Sequence, residues 1–546
     1  MAHDYDVVII GSGFGGSVSA LRLTEKGYRV AVLEAGRRFA DHEFAPTSWR
    51  LRRYLWAPAL GCYGILRLTL LRHVMIMSGA GVGGGSLGYA NTLYEPPPAF
   101  YDDPQWAGIT DWRSELEQAY DQATRMLGVT TNPVETAADR ALRAVAVELG
   151  VGDTYRPTPV GVLFEGGPGD PFFGGAGPSR RPCTLCGACM TGCRVGAKNT
   201  LVKNYLHLAE RAGATVLPLT TVTDVRQLNS GFSVRTRRTG GLTRGEVTAG
   251  QVIFAAGALG TQRLLHRLRD RGRLPRVSPR LGELSRTNSE SILGARTRRR
   301  DADFTRGVAI TSSIHPDAST HVEPVRYGPG SNLLALLATV LIDDTGGRSR
   351  LLAGVRELIR DRRNLRLLAS PRRWSEQTVI LLGMQPLDNS LTLFTRRGRL
   401  RSRPGRGEPN PVWVPAAHDV ARRVARRIDG VPLGSVTELI GRPVTGHFIG
   451  GCAIGAAPDQ GVIDPYHRLF GHPGLHVIDG STMAANPGVN PSLTITALAE
   501  RALAMWPNRN DPDSRPAPGS PYRPVPAVPP HHPAVPPTAP GALRLT

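Results

Sequence analysis

The chain opens on an unbroken aliphatic run, Val7-Val8-Ile9-Ile10, with no alternating polar position. Such a run predicts a parallel-sheet strand buried on both faces. Gly11, Ser12, Gly13, Phe14, Gly15 and Gly16 follow, with Gly11, Gly13 and Gly16 at the spacing Gly-x-Gly-x-x-Gly, and the small apolar stretch Ser17 to Leu23 reads as a helix. A second strand, Tyr28 to Leu33, ends in Glu34. Trp106 to Met126 carries helical spacing, with Asp111 placed as cap and Glu115 and Glu117 early in it. Asn199 to Ala212 predicts a helix, Thr215 to Val225 a pair of edge strands, and Gln251 to Ala256 another buried strand. Gly257 to Gly260 then leads into a helix at Gln262. From about Arg286 to Ile440 the segments shorten and alternate, as in Gly307 to Thr311 and Leu391 to Phe394, with helices at 351–367 and 416–428. That pattern predicts a mostly antiparallel sheet. Residues 508–546 are Pro-rich without periodicity and predict a disordered tail.

The opening strand, glycine turn, helix and second strand form a dinucleotide-binding unit of the Rossmann type. The turn lets backbone approach a pyrophosphate, the helix N-terminus receives the phosphates, and the acid about 20 residues on binds a ribose hydroxyl. This stretch alone leaves FAD and NAD both open. A second glycine run, Gly79 to Ser86, holds five glycines in the seven residues 79–85 and suits backbone lying flat against a cofactor. Late in the chain His447 precedes the turn Gly450-Gly451, and Asp479-Gly480 precedes Gly488-Val489-Asn490-Pro491. Pro491 suits the first turn of a helix and Asn490 its cap, so that the helix aims its positive end at whatever lies before it.

At 546 residues, 41% hydrophobic and 20% charged, the chain has material for two or three domains of a soluble globular enzyme. No secretion signal and no apolar run of ~18 residues is seen, which predicts a cytoplasmic or peripheral-membrane protein. The net charge is +21, with arginines clustered at 298–300, 360–373, 396–406 and 422–427. A solvated basic surface, an anionic membrane and nucleic acid compete as explanations; nucleic acid ranks last because no recognition motif accompanies the charge. Residues 51–77, apolar and basic together, read either as a core connection or as a membrane-touching lip.

Cys183-x2-Cys186-x2-Cys189-x3-Cys193 has ferredoxin-like spacing, which admits an iron–sulfur cluster or zinc. Reduced thiols or disulfides packing a loop are the alternative. Cys62 and Cys452 read as isolated small hydrophobes.

As an ordered set, the N-terminal glycines with Glu34, the run Gly81 to Ser86, the His447 turn, Asp479-Gly480 and Gly488 to Pro491 resemble the glucose–methanol–choline family of FAD-dependent alcohol oxidoreductases. Within it, the Gly-Val-Asn-Pro form and the His447/Asn490 pairing are similar to the bacterial, particularly actinobacterial, cholesterol oxidases. The resemblance implies an FAD domain over 1–290 and 440–507 and a substrate domain over 291–439. It implies that Gly11, Ser12, Gly13, Gly15 and Gly16 hold the pyrophosphate and Glu34 the adenosine ribose. Val222 would meet the adenine, Gly81 to Gly85 and Gly257 would pass beside the cofactor, and Asp479, Gly480 and Asn490 would lie along the ribityl chain and ring. His447 and Asn490 would face a substrate hydroxyl, histidine titrating near working pH and the amide orienting at any pH. The implied reaction takes a sterol 3β-hydroxyl to the ketone, with oxygen as acceptor. Rival readings are a dehydrogenase of another bulky alcohol feeding a cysteine-bound cluster, and a non-catalytic basic binding protein. Isomerisation of the product is not predicted: the strand Thr378 to Met384 carries no acid, leaving only Glu323, Glu376 or Asp388 as substitutes.

Overall fold

The computed structural model describes residues 3–544. Strand β1 (Tyr5–Ile10), helix α1 (Phe14–Glu25) and β2 (Val30–Leu33) form the opening unit, and helix α2 (Trp112–Met126) follows. Then come β3 (Thr215–Leu217), β4 (Thr220–Gln227), β5 (Phe232–Arg238), β6 (Arg244–Phe254) and α3 (Gly257–Asp270). These strands build one sheet in the order β3-β2-β1-β6-β5-β4. β3, β2, β1 and β6 run parallel, and β5 and β4 continue antiparallel. Val7 to Ile9 are fully buried, as a two-faced parallel strand requires. Beyond the end of β5, Val252 to Phe254 take up β12 (Leu475–Val477) in parallel. The chain that returns after 440 therefore enters the first sheet, and α6 (Ser492–Ala504) packs on both α1 and α2.

The second sheet comprises β7 (Ser291–Thr297), β8 (His321–Val325), β9 (Ala338–Val340), β10 (Thr378–Met384) and β11 (Gly430–Ser435). Its order is β8-β10-β7-β11-β9, antiparallel throughout. Side chains alternate between faces. Leu293, Ala295, Val379 and Leu381 pack on one side with Val420 and Val424 of helix α5 (Pro415–Arg427), whereas Ile380, Leu382 and Val325 face the other way, towards Tyr54 and Trp374. That second face roofs the cavity described below.

Several expected elements shift. The helix over 106–126 begins at Trp112, because Asp111 caps it by accepting from the backbone N–H groups of Arg113 and Ser114. Trp106 instead donates its indole N–H to Phe100 in the preceding turn. Of 199–212 only Tyr205–Arg211 is α-helical, capped by Asn204. Gly307 to Thr311 forms no strand, and Leu391 to Phe394 sits in a separate hairpin, Asn389–Arg396 with Arg399–Gly407. The helix over 351–367 breaks at Asp361 into Arg350–Arg360, here α4, and Leu365–Ala369.

Residues 508–544 contain no helix or strand, yet they are not the free tail their composition predicts. Val535, Ala539 and Ala542 are buried in the main core. The backbone N–H of His532 donates to the Glu25 carbonyl, and that of Ala534 donates to the Glu25 carboxylate. Tyr522 bonds Glu115 and Arg501. Proline here imposes extended backbone without a ladder, and side chains rather than secondary structure fasten it.

Candidate active site

Between the sheets lies one continuous cavity of about 1010 Å3. This is at the top of the range that holds a single drug-sized ligand, so it has room for a cofactor and a second molecule. The end of β1 opens it. Gly11 adopts φ +107°, and a Cβ there would stand 2.4 Å from the Ala255 carbonyl; only glycine lets the chain turn this close to β6. At Gly13 a Cβ would meet no protein atom within 4 Å. The helix N-terminus thus borders empty space of the kind a pyrophosphate fills.

Gly11, Ser12, Gly13, Gly15, Glu34, Gly85, Val222, Gly257, Asp479, Gly480, Asn490 and His447 all line this cavity. Gly16 and Gly81 do not: they stand behind the wall. A Cβ on Gly16 would strike the Gly11 carbonyl at 2.1 Å, and Gly81 packs on Gly36. Glu34 already accepts bonds from the Ser12 N–H (3.1 Å), the Ser12 hydroxyl (2.7 Å) and the Gly36 N–H (2.7 Å). A carboxylate has about four acceptor sites, so room for a ribose hydroxyl remains. Residues 51–77 also wall the cavity, through Trp56, Leu66 and Arg67 among others.

At the other end the turn after residue 440 brings His447 to the cavity floor. Its Nδ1 lies 3.2 Å from Glu290 Oε2, leaving Nε2 for the cavity. Burial opposes charge on this ring, but the Glu290 carboxylate, with Glu323 beyond it, outweighs that and raises the His447 pKa. Glu290 is held in turn by the Thr445 hydroxyl and the N–H groups of Gly446 and His447. Asn490 does not cap α6, which begins at Ser492 without a side-chain cap. Its amide N–H donates instead to Glu323 Oε2 at 3.3 Å, and its Oδ1 is buried with no partner. An orphaned acceptor on a cavity wall fits a ligand donor. The Asn490 turn is held by Asn288, whose side chain bonds the Val489 carbonyl and the Gly488 N–H.

Glu290 escapes sequence reasoning, since a single acid near the start of the alternating region carries no periodic signal. The left-handed Asn288 and Ser289 beside it are the local mark of a shaped turn. Glu323, one of three acids considered, proves to lie beside Asn490, on β8 and opposite Leu382 of β10.

The four-cysteine loop is a correction. Cys183, Cys186, Cys189 and Cys193 line a separate, much smaller pocket, and all are free thiols. Among the described residues no group of three or more His, Cys, Asp or Glu side chains is arranged to hold a metal. The loop is organised by a cation already present: buried Lys198 donates to the carbonyls of Leu87, Tyr89 and Cys189 at 2.8–3.0 Å. Burial also pushes the Cys183 thiol up to about 12.

Residues 179–268 and 432–499 match GMC oxidoreductase family models, and residues 6–45 match a FAD binding domain. A cholesterol oxidase of Mycobacterium tuberculosis (strain ATCC 25618 / H37Rv) is 59% identical, covering 100% of this chain and 98% of that protein. A cholesterol oxidase of Acinetobacter baumannii is 44% identical, covering 93% and 95%. Among solved structures, pyridoxine 4-oxidase from Mesorbium loti superposes with a TM-score of 0.57 at 17% identity, over 91% of this chain and 98% of that one, a likeness of fold. Similarity that runs the full length at such identity, on a cavity built from the same ordered motifs, leaves one conclusion: this chain belongs to the GMC oxidoreductases, FAD-dependent enzymes that oxidise alcohols.

Proposed function

We propose that the protein oxidises the 3β-hydroxyl of a sterol such as cholesterol to the ketone, with molecular oxygen reoxidising the cofactor to give hydrogen peroxide. The observation that carries this reading is the pairing of His447 Nε2 and Asn490 on the floor of a large cavity whose lining is mostly apolar. Ile292, Val325, Leu334, Trp374, Ile380 and Leu382 offer a rigid hydrocarbon a fitting wall. Bound against Gly13, Glu34 and Asp479, FAD supplies the hydride acceptor. The chain's own part is proton management and orientation. Asn490 positions the hydroxyl; His447 Nε2 takes its proton, and the Glu290 carboxylate stabilises the imidazolium that results. The positive end of α6, which starts at the cavity wall, favours negative charge there. The division into residues 1–290 with 440–507 against 291–439 belongs to the same proposal and is supported by the two separate sheets.

Peripheral contact with a membrane, the source of such a substrate, is part of the reading. Helix α4 exposes Leu351, Leu352, Val355 and Ile359, with Arg356 and Arg360 beside them and Arg362, Arg363 and Arg366 just after. Leu336 is exposed on the short segment whose Leu334 and Leu337 line the cavity.

The deciding experiment is anaerobic. Cholesterol added to the FAD-loaded protein bleaches the flavin absorbance, and admitting air restores it with release of peroxide. His447→Ala keeps FAD but bleaches about 100-fold or more slowly. Unchanged absorbance with cholesterol removes the sterol assignment; parent-rate bleaching by His447→Ala removes the mechanism.

A further inference from the structure

The oxidation breaks the alcohol O–H and C–H bonds and forms the carbonyl. The C–H pair would leave as hydride to a bound flavin, and the hydroxyl proton goes to His447. Peroxide formation takes up one proton again, so a full turnover with oxygen releases none. It is in the reduced state, before oxygen reacts, that the site exchanges this proton with water. Asn490 is buried and the His447 side chain mostly so, and that exchange needs a path.

We infer that Glu323, His321 and His315 form a proton relay from the active site to solvent. Glu323 is fully buried and receives the Asn490 amide on Oε2. Its other oxygen, Oε1, lies 3.0 Å from His321 Nε2. His321 Nδ1 lies 3.2 Å from His315 Nε2, and His315 is exposed. From Asn490 on the cavity wall, three side chains thus reach the surface in hydrogen-bonding steps.

Sheet geometry makes the arrangement. His321 and Glu323 are two apart on β8, so both point to its cavity face. The Tyr94 ring stands edge-on to His321, with centroids 5.0 Å apart, and fixes its plane. His321 holds one proton in either of two tautomers, and each satisfies both neighbours: Nε2–H to the carboxylate, or Nδ1–H to His315. Passing a proton switches one for the other. In the outward direction Glu323 gives its carboxyl proton to Nε2, Nδ1 gives its proton to His315, and His315 releases one to water; no electrons move. The groups facing the outer ring are His321, Arg156 and Asp317, together with the Thr320 backbone. The packed part of the ring is desolvated although its other side meets solvent; this, then the neighbouring His321 and Arg156, lowers His315 to about 4, so a proton arriving there at neutral pH does not stay. The Glu323 carboxylate acts electrostatically on His447, and Asn490, which lines the same cavity as His447, hydrogen-bonds Glu323 at 3.3 Å, so the relay begins beside the His447 ring. His321 and His315 act through Glu323 and are relay residues.

The inference rests on the oxidase reading, and the test separates the two. Anaerobic stopped-flow absorbance, at a pH above the His447 pKa, follows flavin bleaching by cholesterol while a pH indicator in weak buffer follows protons reaching water. In the parent protein the two coincide. In His315→Ala and His321→Phe, proton release lags bleaching by about tenfold or more, and imidazole restores it in His315→Ala, where the missing ring leaves an opening to solvent. A structural role for either histidine would not respond to imidazole. The same indicator follows proton uptake when the bound flavin is reduced photochemically with no alcohol present, so the relay is tested even if no sterol bleaches the flavin. Proton movement at the parent rate in both variants in that arm overturns the relay; absence of bleaching by cholesterol in the parent overturns the sterol reading alone.

Discussion

His447 carries two opposed influences: burial, which disfavours its charged form, and the Glu290 carboxylate at 3.2 Å, which favours it. The carboxylates prevail and the pKa is raised. A base must be neutral to accept a proton, so activity rises with pH as His447 loses its own, and the acid limb of kcat/KM lies above the ordinary histidine value. Glu290→Gln removes the main charge that raises the ring and leaves the burial. The acid limb then moves to lower pH, while kcat at high pH falls because the imidazolium formed during the reaction loses its counter-charge. A pH series of kcat/KM on both proteins checks this, and a limb that stays fixed or moves to higher pH contradicts the assignment. The stability effect has the opposite sense to activity: the contribution of the charged pair is full below the unfolded histidine pKa and disappears as pH rises through the raised one. His447 itself was legible in the sequence because a histidine before a glycine turn stands out among motifs of fixed order. Glu290 was not, because nothing in a lone acid says which histidine it will face.

At the scale of elements, the glycine turn separates two roles that one spacing conceals. Gly15 is needed for packing: a Cβ there would lie 2.0 Å from the Ile478 carbonyl, at the turn that carries Asp479. Gly13 borders the cofactor's space instead. Gly15→Ala is therefore expected to cost about 1–3 kcal/mol in stability, and FAD is lost along with it because Asp479 is displaced. Gly13→Ala leaves the thermal midpoint of the FAD-free protein within about a degree, since a 1 kcal/mol change shifts it only a few degrees, yet weakens FAD binding. Melting curves of FAD-stripped protein and flavin titrations distinguish the two, and equal losses of stability in both variants contradict the division. The same scale explains what sequence reading caught and missed. β1, β2 and the strand within 251–256 were legible because burial on both faces leaves an unbroken aliphatic run. The second sheet was legible as alternation, but its order was not. The pairing of Glu323 with Leu382 across β8 and β10 is a matter of register, set by contacts distant in sequence. Hence the substrate-facing strand looked free of acids although its neighbour supplies one at the same level.

Over the whole molecule, charge and apolar exposure coincide on one face. A net charge of +21 says nothing by itself about where it acts. The structure places exposed arginines next to Leu352 and Ile359, which are 71% and 66% exposed on a helix whose inward side rests Gly354 against Ile342 and Leu439. A short helix with apolar side chains on its outer side and arginines around them suits the headgroup boundary of an anionic bilayer, where each arginine near the surface contributes about 1 kcal/mol. Burying an aliphatic side chain of this size contributes about 1.5–3 kcal/mol, so charging two of them reverses a gain worth more than a factor of ten in binding. The protein is therefore expected to float with vesicles rich in phosphatidylserine, less with phosphatidylcholine alone, and to be released as salt screens the arginines. Leu352→Glu combined with Ile359→Glu reduces vesicle binding more than about tenfold and slows oxidation of sterol presented in vesicles. Neither residue lines the cavity, so oxidation of detergent-dispersed sterol stays at the parent rate. Equal loss on both substrate forms would place the effect inside the molecule, and unchanged flotation would leave α4 as an ordinary solvated helix; in either case the face that meets the lipid lies elsewhere.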